Sequence, residues 1–116
     1  MNGRHVAAGQ AAFYLATGVW PLLDRRSFER VTGPKTDFWL AQTVGLTVAA
    51  IGAGLAHAAS HRGPIPKELR TVAVTSAAAL ASVDLFFVGR GRISRIYLAD
   101  AVAEAALMAA WLVARD

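Results

Sequence analysis

Along this chain, long apolar runs alternate with short, densely charged segments. Val6 to Leu23 contains no Asp, Glu, Lys or Arg, and neither do Phe38 to His61, Thr71 to Val83 or Ala105 to Ala114. A bilayer core takes about 20 mostly apolar residues per helix, and the four segments approach that length once their flanks are counted. A soluble Ala-rich bundle would need a polar stripe on every helix, and Val44 to Ala56 offers only Thr47 for one. The pattern predicts an all-α membrane protein with four transmembrane helices in an up-down-up-down bundle. The expected helices run over about 5–23, 36–60, 69–88 and 94–114, in a single four-helix transmembrane domain covering 1–116.

The breaks between the runs carry recognisable chemistry. Asp24 to Val31 is strongly charged, with Phe28 and Val31 three apart, and reads as a short turn in the head-group plane. Thr32-Gly33-Pro34-Lys35-Thr36-Asp37 is turn and helix-start material. His61 to Glu68 holds two prolines and a glycine, which cannot continue a helix. Gly89 is placed as a C-terminal cap for the third helix, and Ser94 as an N-cap for the fourth. Gly45, Ala49, Gly52, Ala53 and Ala56 give the second helix the smallest surface, so it is expected to be packed on several sides. Trp39 and Trp20 suit the membrane interface.

Composition sharpens this picture. Of 116 residues, 55% are hydrophobic and 17% charged, below the quarter usual for a soluble domain. The chain has no cysteine, which excludes disulfides, thiolate catalysis and Cys-based metal sites. The net charge of +4 falls in the turns, which suits anionic lipid head groups; no basic arm or aromatic-basic patch points to nucleic acid. Met1-Asn2-Gly3-Arg4-His5 opens a run without a convincing cleavage site, so it is read as a retained first helix. Four spans would put Arg4, Arg62, Lys67, Arg70 and Arg115 on one side. Arg25, Arg26, Arg30, Lys35, Arg90, Arg92 and Arg95 would lie on the other, which the positive-inside rule makes cytoplasmic. The expected location is the cell membrane, as a multi-pass protein of a prokaryotic inner membrane.

Carboxylates inside apolar segments are expensive and need partners or a purpose. The fourth helix carries Tyr97, Asp100 and Glu104 on one face, and Asp84 lies near the end of the third. At 1.5 Å per residue, Asp100 would lie roughly 10 Å and Glu104 roughly 16 Å below the surface. The first helix carries Gln10, Tyr14 and Thr17 on one face, and Gln42 enters from the second. Tyr14, Gln42, Asp84, Tyr97, Asp100 and Glu104 are therefore expected to converge into one buried polar cluster near the 89–95 side. Structurally, Arg90, Arg92 or Arg95 would neutralise the aspartates while Glu104 shares hydrogen bonds with Tyr14 or Gln42. Functionally, the acids would line a small cavity for a cation, an amine or protons.

Other features carry less. His57 and His61 are four apart, with His5 on the same side, and read as interfacial histidines; no metal and no cofactor is expected. Gly52-Ala53-Gly54 and Gly89-Arg90-Gly91 lack a phosphate loop's Lys-Ser/Thr ending. No nucleophile elbow or Ser-His-Asp set can be assembled, so an enzyme is not the first expectation.

In length and span number the chain resembles the small multidrug-resistance transporters, four-helix proteins that work as dimers. That family is marked by a glutamate in the first helix. Here the first helix has Gln10 and no acid, and the carboxylates fall on the third and fourth, so no residue role carries over. Three functions remain. The first is an accessory or structural subunit, or a self-associating bundle, whose partners are the bilayer and further copies or a larger membrane complex. The second is a transporter or binding protein for a cationic or lipophilic small molecule, using Asp84, Asp100 and Glu104. The third is a small intramembrane enzyme acting on a lipid-like substrate.

Overall fold

The structure, a computed structural model, describes residues 2–115 and is all-helical. Its elements are α1 (Gly3–Leu23), α2 (Arg25–Thr32), α3 (Phe38–Ala59), α4 (Lys67–Gly89) and α5 (Tyr97–Val113). Three of them, α1, α3 and α4, are long and apolar enough to cross a membrane. Their outward faces fit that setting: Leu46 on α3, Phe86 on α4 and Val102 and Leu112 on α5 are all exposed. In water such surfaces would drive aggregation, whereas hydrocarbon solvates them. The architecture is that of a membrane-embedded helical protein.

The fifth helix is shorter than the sequence suggested. Its 17 residues reach about 26 Å, against a hydrocarbon core of about 30 Å. The shortfall arises at its start, where the amides of Tyr97, Leu98 and Ala99 donate to the carbonyls of Ser94, Arg95 and Ile96, three residues back. Ser94 Oγ accepts from the Ile96 amide at 3.2 Å, so the hydroxyl is used inside the turn and caps no helix. At the far end Ala114 turns extended, and Arg115 pairs with Asn2 as an isolated bridge.

Two other boundaries were also displaced. The charged segment after α1 is a two-turn helix, because Asp24 caps it by accepting from the Ser27 amide at 3.2 Å. Trp20 Nε1 donates to Ser27 Oγ at 2.8 Å, and Phe28 stands edge-on between Trp20 and Phe38. Lys35 closes the other end by donating to the carbonyls of Thr32 and Gly33, both at 2.9 Å. After α4 the capping glycine is Gly91 and not Gly89. Gly91 has φ +71°, its amide donates to the Val88 carbonyl at 3.0 Å, and the Arg92 amide reaches Phe87 at 2.9 Å. That is the Schellman arrangement, which needs a left-handed residue one place beyond the cap.

The helices associate as two hairpins. α1 lies along α3 and α4 along α5, while the two pairs touch each other lightly. Gly18 and Gly45 set the first contact: a Cβ on Gly18 would lie 2.5 Å from the Gly45 carbonyl oxygen. Gly52 sits against Tyr14 and Leu15 in the same seam. The small residues of α3 thus serve one close neighbour. The expectation of packing on several sides fails, and Trp39, Val44 and Leu46 are exposed.

At the end that carries both described termini, the hairpins share a core of Val6, Ala7, Ala11, Leu55, Ile65, Ala73, Trp111 and Ala114. Arginines tie helix ends there. Arg4 donates to the Ala59 carbonyl at 3.2 and 3.3 Å, and Arg70 donates to that of Trp111. Each guanidinium meets the negative end of the helix antiparallel to its own.

Candidate functional site

Where the hairpins meet, polar side chains of α1 face polar side chains of α5. Gln10 and Tyr14 are one turn apart and fully buried. Opposite them stand Glu104 and Trp111, two turns apart and also buried. Tyr14 Oη donates to Glu104 Oε1 at 2.8 Å, and Trp111 Nε1 donates to Gln10 Oε1 at 2.7 Å. Gln10 Nε2 then donates to the Ala73 carbonyl at 3.0 Å, drawing α4 into the same junction. Every one of these buried groups has a partner, as burial demands.

Asp84 breaks that pattern. It projects from α4 beside Asp100, with Glu104 also in electrostatic range. Asp84 is 5% exposed, and no N–H or hydroxyl among the described residues donates to its Oδ2; the group within hydrogen-bonding reach of its side chain is a second carboxyl, that of Asp100. The arginine neutralisation suggested by the sequence does not occur. Among the described residues no guanidinium or ammonium lies within ion-pair distance of Asp84, Asp100 or Glu104; Arg25 and Glu29 form an ion pair elsewhere, at 3.1 Å.

The three carboxyl groups line a cavity of about 570 Å³ between the hairpins. It lies away from the shared core, among the 34–37 and 92–93 segments. Hydrocarbon dominates its walls, with Leu40, Val44 and Val48 on α3 and Leu80 and Val83 on α4. Lys35, Arg92, Tyr97 and a fourth carboxyl group, that of Asp37 at the start of α3, also border it. Crowded carboxyl groups in such a setting repel one another unless they share protons or hold a cation.

The structure brings together Tyr14, Asp84, Tyr97, Asp100 and Glu104. Gln42 is half-buried and lines a separate hollow with Pro21, Arg25, Phe38 and Trp39. Thr17 borders the main cavity, but its hydroxyl donates to the Phe13 carbonyl of its own helix at 2.7 Å. Trp111 was missed as a polar partner, although its spacing from Glu104 places both on one face. His57 and His61 are exposed and stacked edge to face, with His61 Nδ1 2.8 Å from the His57 carbonyl oxygen.

Comparison with protein-family models, with curated proteins and with solved structures returned no match to this chain.

Proposed function

We propose that this chain is a four-pass, single-domain membrane protein whose cavity binds a cationic or weakly basic lipophilic small molecule. The observation that carries the proposal is the trio Asp84, Asp100 and Glu104 on the wall of an apolar cavity, with no cation among the described residues within ion-pair distance of them. Carboxyl groups that only held helices together would have their acceptors satisfied, as Glu104 is by Tyr14. The apolar walls suit a hydrocarbon group and the acids suit a positive charge. In this reading α5 is the fourth span, its shortness covered by the 94–96 turn and modest bilayer thinning. The helices run up-down-up-down with both termini on one side. The 24–37 and 89–95 segments face the cytoplasm of a prokaryotic inner membrane, with the basic face of α2 on the lipid head groups.

A fluorescent weak base, 1-naphthylmethylamine, tests the proposal. Saturable binding to the purified protein in nanodiscs is expected, with protein-free nanodiscs as the partition control. Replacing both aspartates (Asp84→Asn with Asp100→Asn) should abolish the saturable part. Equal binding by the double variant would remove the carboxyl groups from the account.

The accessory-subunit reading retains one supporting observation: Ala12 and Ala16 on α1 and Ala50 and Ala53 on α3 are exposed, leaving small-residue surface for another helix. It predicts no saturable binding in the same titration.

A further inference from the structure

The unpaired oxygen of Asp84 says more about the occupant than charge alone. Resting on the cavity reading above, we infer that the ligand is a protonated amine, primary, secondary or tertiary, that donates an N–H to Asp84 Oδ2 and lays its hydrocarbon part against the apolar wall. Oδ2 is a buried acceptor on the cavity lining, and only a donor satisfies an acceptor. A quaternary ammonium carries the same charge but no N–H.

The two other cations at the cavity do not supply that donor. Lys35 Nζ spends its three N–H groups on the Thr32 carbonyl at 2.9 Å, Thr32 Oγ1 at 3.2 Å and the Gly33 carbonyl at 2.9 Å. Arg92 is exposed and not within ion-pair distance of Asp84.

The aromatic side chains argue in the same direction. Quaternary ammonium groups are recognised by the faces of aromatic rings. The rings on this cavity belong to Phe28 and Tyr97, and Lys35 Nζ already stands over both, at 5.8 and 5.4 Å from their centroids. A methylated cation would meet rings that already hold a charge, and a carboxylate it cannot hydrogen-bond. Metal ions fit less well, since no group of three or more His, Asp or Glu among the described residues is arranged to hold one.

The test keeps the hydrophobe constant and changes the nitrogen. 1-Naphthylmethylamine, its N-methyl derivative and its N,N,N-trimethyl derivative are titrated calorimetrically into the full chain in nanodiscs, with protein-free nanodiscs subtracted. The first two should bind alike and the third about tenfold or more weakly, the cost of leaving a buried acceptor unmet. The Asp84→Ala variant, which removes the acceptor altogether, should lose that preference. The wild-type series decides the matter even if the variant fails to fold. A trimethyl derivative that binds as tightly as the primary amine, and still needs Asp100, overturns the amine inference and leaves the cavity reading standing. A preference that survives in Asp84→Ala overturns the assignment to Asp84. No saturable binding by any of the three overturns the amine inference and the cavity reading together.

Discussion

Gln10 connects three helices through one side chain. Its carbonyl oxygen accepts from Trp111 Nε1 while its amide donates to Ala73, so each end of the amide is engaged in a site closed to solvent. Replacing Trp111 by Phe keeps the ring but leaves Gln10 Oε1 bare, at a cost of about 1–3 kcal/mol. Unfolding in mixed detergent–SDS micelles should show that loss. Affinity for 1-naphthylmethylamine should be unchanged, because Trp111 belongs to the shared core and not to the cavity lining. The Tyr14–Glu104 contact follows from two periodic stripes and was legible in the sequence. The bare oxygen of Asp84 was not. Whether an arginine in a nearby turn reaches a carboxylate depends on turn geometry, and here no arginine among the described residues forms an ion pair with Asp84, Asp100 or Glu104.

Among the elements, α2 shows how charge builds structure outside the spans. The backbone N–H of Ser27, above all, holds the Asp24 carboxyl below its ordinary pKa. The backbone N–H of Lys35 does the same for Glu29, with Arg25 assisting. Depressed carboxyl groups contribute stability that is complete above their unfolded values, near pH 4, and is lost as pH falls through the lower folded values. The α2 cap should therefore stay closed at neutral pH and open only in acid, below about pH 4. Amide exchange at Ser27 and Lys35, followed by NMR, should accelerate across that range while amides in the middle of α3 hold. Exchange at those two amides that is flat with pH would show that neither carboxylate supports the helix. Sequence reading recognised a charged, amphipathic break here but not a helix, since the contacts that fix it reach across to Trp20 and Phe38.

At the scale of the whole molecule, two hairpins are locked at the end carrying the described termini and separate toward the other, and the cavity occupies the separation. The all-helical class, the apolar runs and the breaks could be read from hydropathy alone, whereas the sequence suggested four helices and the structure has five among the described residues. The pairing could not be read that way, because Gly, Ala and Thr surfaces on several helices offer similar contacts. What selects α3 as the partner of α1 is the meeting of Gly18 and Gly45, where backbone approaches backbone. Gln42 lines the other hollow, beside Pro21 and Phe38, and not the cavity that holds the acids.

Because the chain contains no cysteine, single cysteines report cleanly on this arrangement. Leu80 borders the cavity, and its neighbour Ala79 is exposed on the outer surface of α4. A membrane-impermeant cationic methanethiosulfonate is applied to membrane vesicles from the side bearing the 24–37 and 89–95 segments. The account predicts that Leu80→Cys is labelled and that 1-naphthylmethylamine protects it, while Ala79→Cys stays unlabelled in lipid. Equal labelling of the two, or a silent Leu80→Cys, would contradict a water-accessible carboxylate cavity inside a membrane-embedded bundle.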